Sequence, residues 1–144
     1  MGNSLIDKET FEVYYYEKDF PNVFLVDQPL AYPISLLNKK GYKTLYSCSG
    51  HYYFVHETFH QEMYILFDKV YQFDTLPDGF IKEITTSPEG IERTRIFYEI
   101  NNYKTVGNEE VVKERWDFDP EIEVLSQRLM KWVENLPDYK ERND

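Results

Sequence analysis

The segment "DPEIEVLSQRLMKWVENLPD", residues 119 to 138, constrains the fold more than any other part of the chain. Ile122, Leu125, Leu129, Trp132 and Leu136 recur every three or four positions, the spacing of one face of an α-helix. Asp119 carries the acceptor expected of an N-cap. Pro120 suits the first helical position, where a preset φ helps and a missing N–H costs nothing. Pro137 ends the segment. A helix with a single apolar stripe must lay that stripe on something. Each large side chain so buried contributes about 1.5–3 kcal/mol before entropy is subtracted.

The preceding sequence supplies the surface. "TFEVYYYE" alternates Phe11, Val13 and Tyr15 on one face and reads as a strand. "NVFLVD" reads as a second strand or an extended lead-in. "QPLAYPISLLNKKGY" reads as a helix, with Leu30, Ile34 and Leu37 at helical spacing. Pro33 places the start of its regular part, Lys39 and Lys40 suit the negative end of its dipole, and Gly41 closes it. "KTLYS" follows as a strand with Leu45 pointing opposite to Thr44 and Tyr46. "EMYILFD" is a further strand, "LPDG" a turn, and "FIKEITT" and "IERTRIFYEI" flank the turn "SPEG" as a hairpin. "NNYKTVGNEE" reads as loop. The order strand, helix, strands, hairpin, helix predicts an α+β fold: a mainly antiparallel sheet with two principal helices packed on one face, in a single domain over residues 1–144.

A chain of 144 residues is long enough for one real core, and 17% aromatic residues favour a folded, sheet-containing protein. No apolar run approaches the roughly 20 residues that cross a bilayer. The N-terminus lacks the basic start and apolar stretch of a signal peptide, and Ile6 stands where N-myristoylation wants Ser or Thr. The one cysteine cannot form an internal disulfide. The expected location is the cytoplasm, with no membrane partner. Sixteen basic against 26 acidic residues give a net charge of −10, which opposes nucleic acid as a partner. Lys39, Lys40 and Lys43 form the densest basic group and Arg93 with Arg95 the second; both read as solvated surface.

Chemistry concentrates in "YKTLYSCSGHYY", residues 42 to 53. Three readings of its centre compete. In the first, a strand ends in a turn, Gly50 supplies a backbone angle that other residues resist, and Cys48 packs as a small hydrophobe. In the second, Cys48, His51, His56 and His60 form a zinc site, C-x2-H-x4-H-x3-H, with thiolate and imidazole ligands of the right type. In the third, Ser47, Cys48, Ser49, Gly50 and His51 form a ligand loop. There the backbone N–H groups and the two hydroxyls would converge on a phosphate or carboxylate, with His51 cationic near neutral pH. A Cys48–His51 nucleophile pair is a variant of that reading, though no third orienting residue is assigned.

"LLNKKGYKTLYSCSGH" resembles a family of small, uncharacterised bacterial and phage proteins. In these a helix ending in Lys-Gly-Tyr leads into Tyr-Ser-Cys-x-Gly-His, with an aromatic strand like "YILF" and then "LPDGF" further on. The likeness spans Ile34 to Phe80 and brings no activity with it. Ser47–Gly50 also resembles the Ser-Cys-Ser-Gly of the wybutosine-synthesis tRNA methyltransferase family, over about Leu36 to Gly50. That resemblance implies S-adenosylmethionine as cofactor. His51 replaces the family's arginine and Tyr46 its first serine.

The leading expectation is a small-ligand or substrate site at Ser47–His51, with Tyr52, Tyr53 and Phe54 as an aromatic wall. The alternative is a non-catalytic accessory or protein-interaction module, phage or mobile-element encoded, whose tyrosine-rich surface contacts a protein partner. A zinc-stabilised domain is the third.

Overall fold

A computed structural model describes residues 3–14, 22–50, 52–55, 58–104 and 120–141; of 52–55, 58–59 and 101–104 the backbone alone is described. The strands are β1 (Asn3–Asp7), β2 (Val13–Tyr14), β3 (Val23–Asp27), β4 (Thr44–Cys48), β5 (Tyr52–Val55), β6 (Thr58–Phe67), β7 (Ile81–Thr86) and β8 (Glu92–Lys104). The helices are α1 (Ala31–Lys39), entered through a single 3-10 turn Gln28–Leu30, and α2 (Pro120–Asn135). The fold is α+β, as the element order predicts.

The antiparallel strands form two sheets. One has the order β2-β1-β3. The other has the order β4-β6-β8-β7, with β5 also paired to β6. β6 is the centre of the larger sheet, and its alternation explains why. Gln61, Met63, Ile65 and Phe67 are buried, while Glu62, Tyr64 and Leu66 between them are only partly covered. Period-2 burial of this kind means one face on the core and one outside.

The inner faces and both helices share one hydrophobic cluster. β1 and β3 bring Ile6 and Val26, the 3-10 turn brings Leu30, α1 brings Ile34 and Leu37, and β6 and β8 bring Met63, Ile65, Phe67 and Ile96. All five residues of the predicted α2 stripe are buried, joined by Val133. The aromatic rings of Tyr42, Phe67, Tyr71 and Phe73 fill the end of the core under the C-terminal tail, with centroids 5.2 to 6.0 Å apart.

Several local expectations change. β1 occupies the N-terminal segment to which no strand was assigned; Ser4, Leu5 and Ile6 are buried there as the central strand of its sheet. Phe11 is not in a strand. It lies in the turn after β1 with φ of 56°. Of "TFEVYYYE", β2 accounts for Val13–Tyr14, and Tyr15–Glu17 lie outside the described residues. α1 begins at Ala31, two residues before Pro33, which sits harmlessly in the first turn. In β4 a bulge at Leu45 puts Thr44 opposite Phe67 and Tyr46 opposite Leu66, so Thr44 and Tyr46 face opposite sides. Asn101–Lys104, expected as loop, continue β8 against Thr58–Gln61. Asp119 lies outside the described residues.

Candidate functional site

Ser47 and Cys48 end β4, and Ser49 and Gly50 follow as a bend. β4 and β5 run along the same edge of β6. Cys48 pairs with Tyr64 and Tyr52 with Gln61, so Ser49 and Gly50 lie where the ladder along β6 is interrupted, at the level of Glu62 and Met63. The stretch is a bulge inside one long hairpin. On the other side of β6 the register also slips, because Gln61 pairs with Asn101 and Glu62 with Glu99, leaving Ile100 as the extra residue. The two irregularities flank the same level of β6, where such insertions bend and twist a sheet.

The bulge is filled from within. Ser49 is fully buried. Its backbone N–H donates to Asp27 Oδ2 at 2.9 Å and its hydroxyl donates to the same oxygen at 3.0 Å. Asp27, the last residue of β3, thereby ties the small sheet to the large one. Gln61, also buried, donates from Nε2 to the Gly50 carbonyl at 3.0 Å. Gly50 has φ of 137°, and a Cβ there would meet Ile122 at 3.1 Å and Ile100 at 3.2 Å. The glycine is required twice, by its backbone angle and by the first turn of α2 lying on it.

The five residues of the expected ligand loop therefore divide. Ser49 and Gly50 point into the structure, with a carboxylate of the chain itself on the donors of Ser49. Ser47 pairs with Ile65 on the inner side of β4. Cys48 lies on the outer side beside Tyr64, half-buried. His51 lies outside the described residues, as does His56. Of the four metal candidates, Cys48 and His60 are described. His60 sits four residues from Tyr64 along β6 on the same face, about 13 Å from the position of Cys48. Among the described residues no group of three or more His, Cys, Asp or Glu is arranged to hold a metal ion. Tyr52, Tyr53 and Phe54, expected as an aromatic wall, lie in β5, of which the backbone alone is described.

Cys48 belongs to a row that crosses the whole outer face. The registers set Cys48 beside Tyr64, Tyr64 beside Phe97, and Phe97 beside Ile81. The next row is Tyr46, Leu66, Arg95 and Glu83. No residue of either row is buried; Tyr46 is 67% and Ile81 57% exposed. Arg95 organises the centre. Its guanidinium lies 4.9 Å from the Tyr64 ring centroid and 4.6 Å from that of Phe97, and it bonds Glu62 and, at 2.8 Å, Glu83. Burial raises the Tyr64 phenol above its ordinary value, Cys48, Glu62 and Asp27 add to that, and Arg95 opposes it.

The basic groups of the sequence disperse. Lys40 Nζ donates to the carbonyls of Val133, Glu134 and Leu136 at the end of α2, at 2.6 to 3.1 Å. Lys43 points toward a separate cleft, and Arg95 is held between two glutamates. Sequence reasoning missed Asp27 and Gln61 as the partners of the bulge, and missed the outer-face rows. Asp27 stands 22 positions from Ser49, so no local pattern announces it.

Together these features define an α+β protein with a bent, bulged hairpin and an amphipathic outer sheet face. Neither protein-family models, curated proteins nor solved structures match the chain. No described helix is long and apolar enough to cross a membrane.

Proposed function

We propose that this chain works as a protein-interaction module, and that the outer face of the β4-β6-β8-β7 sheet is its docking surface, with a second copy of the chain as the occupant. The observation that carries the reading is the row Cys48, Tyr64, Phe97 and Ile81, apolar across four strands, with no buried member. Rows of this kind cover themselves by packing face to face at about 10 Å.

Charge opposes a second copy least at this face. The molecule carries −10 overall, so two copies repel over most orientations. The outer face carries Arg93 and Arg95 against Glu62, Glu83 and Glu99, a net of one negative charge. It carries both signs, so a two-fold axis through it can set Arg93 of one copy toward Glu99 of the other while Arg95 stays with its own Glu62 and Glu83. An isologous contact needs that self-complementarity. In this reading the bulge at Ser49 and Gly50 is structural: it bends the hairpin and holds Cys48 on the docking side. A small anion at Ser47–His51 would have to compete with Asp27 for the Ser49 donors, and for that reason the ligand-loop reading takes second place.

Sedimentation equilibrium tests the proposal. The wild-type chain is expected to form a dimer, and the Tyr46→Glu/Ile81→Glu double variant a folded monomer. A wild-type chain that stays monomeric up to about millimolar concentration, weaker than the μM range of ordinary specific pairs, overturns it.

A further inference from the structure

Away from both the bulge and the outer face, a cleft of about 400 Å³ opens between the β1–β2 turn, the start of β3 and the start of β4. We propose that this cleft binds a small aromatic anion, its ring against Phe11 and Phe24 and its charged group at Lys8 and Lys43. The volume falls in the roughly 300–1,000 Å³ range of small-molecule sites.

Three observations carry the assignment. The first is Phe11, the one non-glycine residue with positive φ among the described residues. A bulky side chain in that conformation costs on the order of 1–3 kcal/mol and persists only where its surroundings over-determine it. Here they do. Asp7 accepts the Phe11 N–H at 2.9 Å through its carbonyl, and its side chain accepts from Glu9 at 2.8 Å and Thr10 at 2.9 Å. The Ser35 hydroxyl donates to the Phe11 carbonyl. The turn thus fixes an aromatic ring, half-exposed, at the cleft wall.

The second is the charge. Lys8 and Lys43 are exposed, and neither ammonium has a carboxylate within ion-pair distance among the described residues. Asp68, on the same wall, accepts the Tyr71 hydroxyl at 2.7 Å and keeps its charge, so the cleft carries Lys8 and Lys43 against one carboxylate.

The third is anchorage. The Lys8 N–H donates to Asn22 at 2.8 Å, and the Lys43 carbonyl accepts from Asp68 at 2.9 Å. Both stems leave from fixed backbone. At the floor, buried Asn38 is saturated by Ile34 and Thr44 and offers nothing to a ligand. Recognition would therefore rest on ring stacking and two cationic groups, which selects an aromatic carboxylate or aryl phosphate over a sugar or a plain ion.

Phenyl phosphate is the probe, with inorganic phosphate and phenol as controls, read by amide chemical-shift titration of the full chain. Saturable shifts at Phe11, Phe24 and Lys43 are expected with phenyl phosphate and not with either control. Lys8→Ala and Lys43→Ala should each weaken binding roughly two- to fivefold, the worth of an exposed ion pair. Phe11→Gly is the decisive variant, because glycine accepts the same backbone angle while removing the ring. It should abolish the shifts; because Phe11 also packs against the core, the variant loses some stability, and its amide spectrum should still be that of a folded chain. No saturable shift with phenyl phosphate overturns the proposal, and so does binding that inorganic phosphate reproduces or that Phe11→Gly leaves unchanged.

Discussion

Asp27 shows how a single side chain sets the character of the Ser47–His51 stretch. One of its oxygens receives two hydrogen bonds from a fully buried serine. Replacing it with alanine strands both donors, which costs on the order of 1–3 kcal/mol per buried unsatisfied group. Asp27→Ala is therefore expected to lower the urea midpoint clearly, with Asp27→Asn intermediate; equal midpoints would contradict the role given to the carboxylate. Gly50→Ala meets Ile122 and Ile100 at 3.1 to 3.2 Å and a left-handed backbone angle, so a loss of about 1–3 kcal/mol is expected in the same assay. Tyrosines add a pH dependence. Burial, followed by the hydrogen bond to Asp68, raises the Tyr71 phenol far above its ordinary value of about 10. The stability this neutral phenol contributes is complete below its unfolded value and is lost as pH rises through the raised one. An alkaline titration followed by tyrosinate absorbance should show Tyr71 ionising late, together with unfolding, and Tyr71→Phe should remove that late step. At this scale the sequence was informative about residue type and silent about partners. Ser49 and Gly50 stand out by chemistry, whereas Asp27 reaches Ser49 from the other sheet and Gln61 reaches Gly50 from the neighbouring strand β6.

Elements were legible where a period had room to repeat. The stripe of α2 is visible over about four turns, and every member is buried. β1 was missed because Ser4, Leu5 and Ile6 are buried consecutively and show no alternation. Asn101–Lys104 were taken for loop on polar composition, but the bulge at Ile100 lets β8 continue along β6 beyond its apolar part. Lys40 illustrates the same limit. Its position at the end of α1 suggests that it serves that helix, yet its ammonium caps the carbonyls of α2. Lys40→Met should therefore destabilise the C-terminal helix by up to about 2 kcal/mol, the upper range for a partly buried cation at a helix C-terminus. Hydrogen exchange would register this as faster opening of amides in the last turn of α2, with little change in α1. Faster exchange confined to α1 would contradict the assignment.

For the whole molecule, net charge and fold class were readable from composition and element order. The outer face proposed for docking was not, because it is defined by cross-strand registers: Cys48, Tyr64, Phe97 and Ile81 become neighbours only when four strands align. That row gives the one cysteine of the chain a diagnostic use. If two outer faces pack together, the Cys48 thiol is covered in the dimer and accessible in the monomer. The most direct test is the rate of Cys48 modification by excess thiol reagent, measured across a range of protein concentrations. The rate should fall as concentration rises through the association range in the wild type, and stay flat in Tyr46→Glu/Ile81→Glu. A wild-type rate independent of protein concentration would contradict docking through this face.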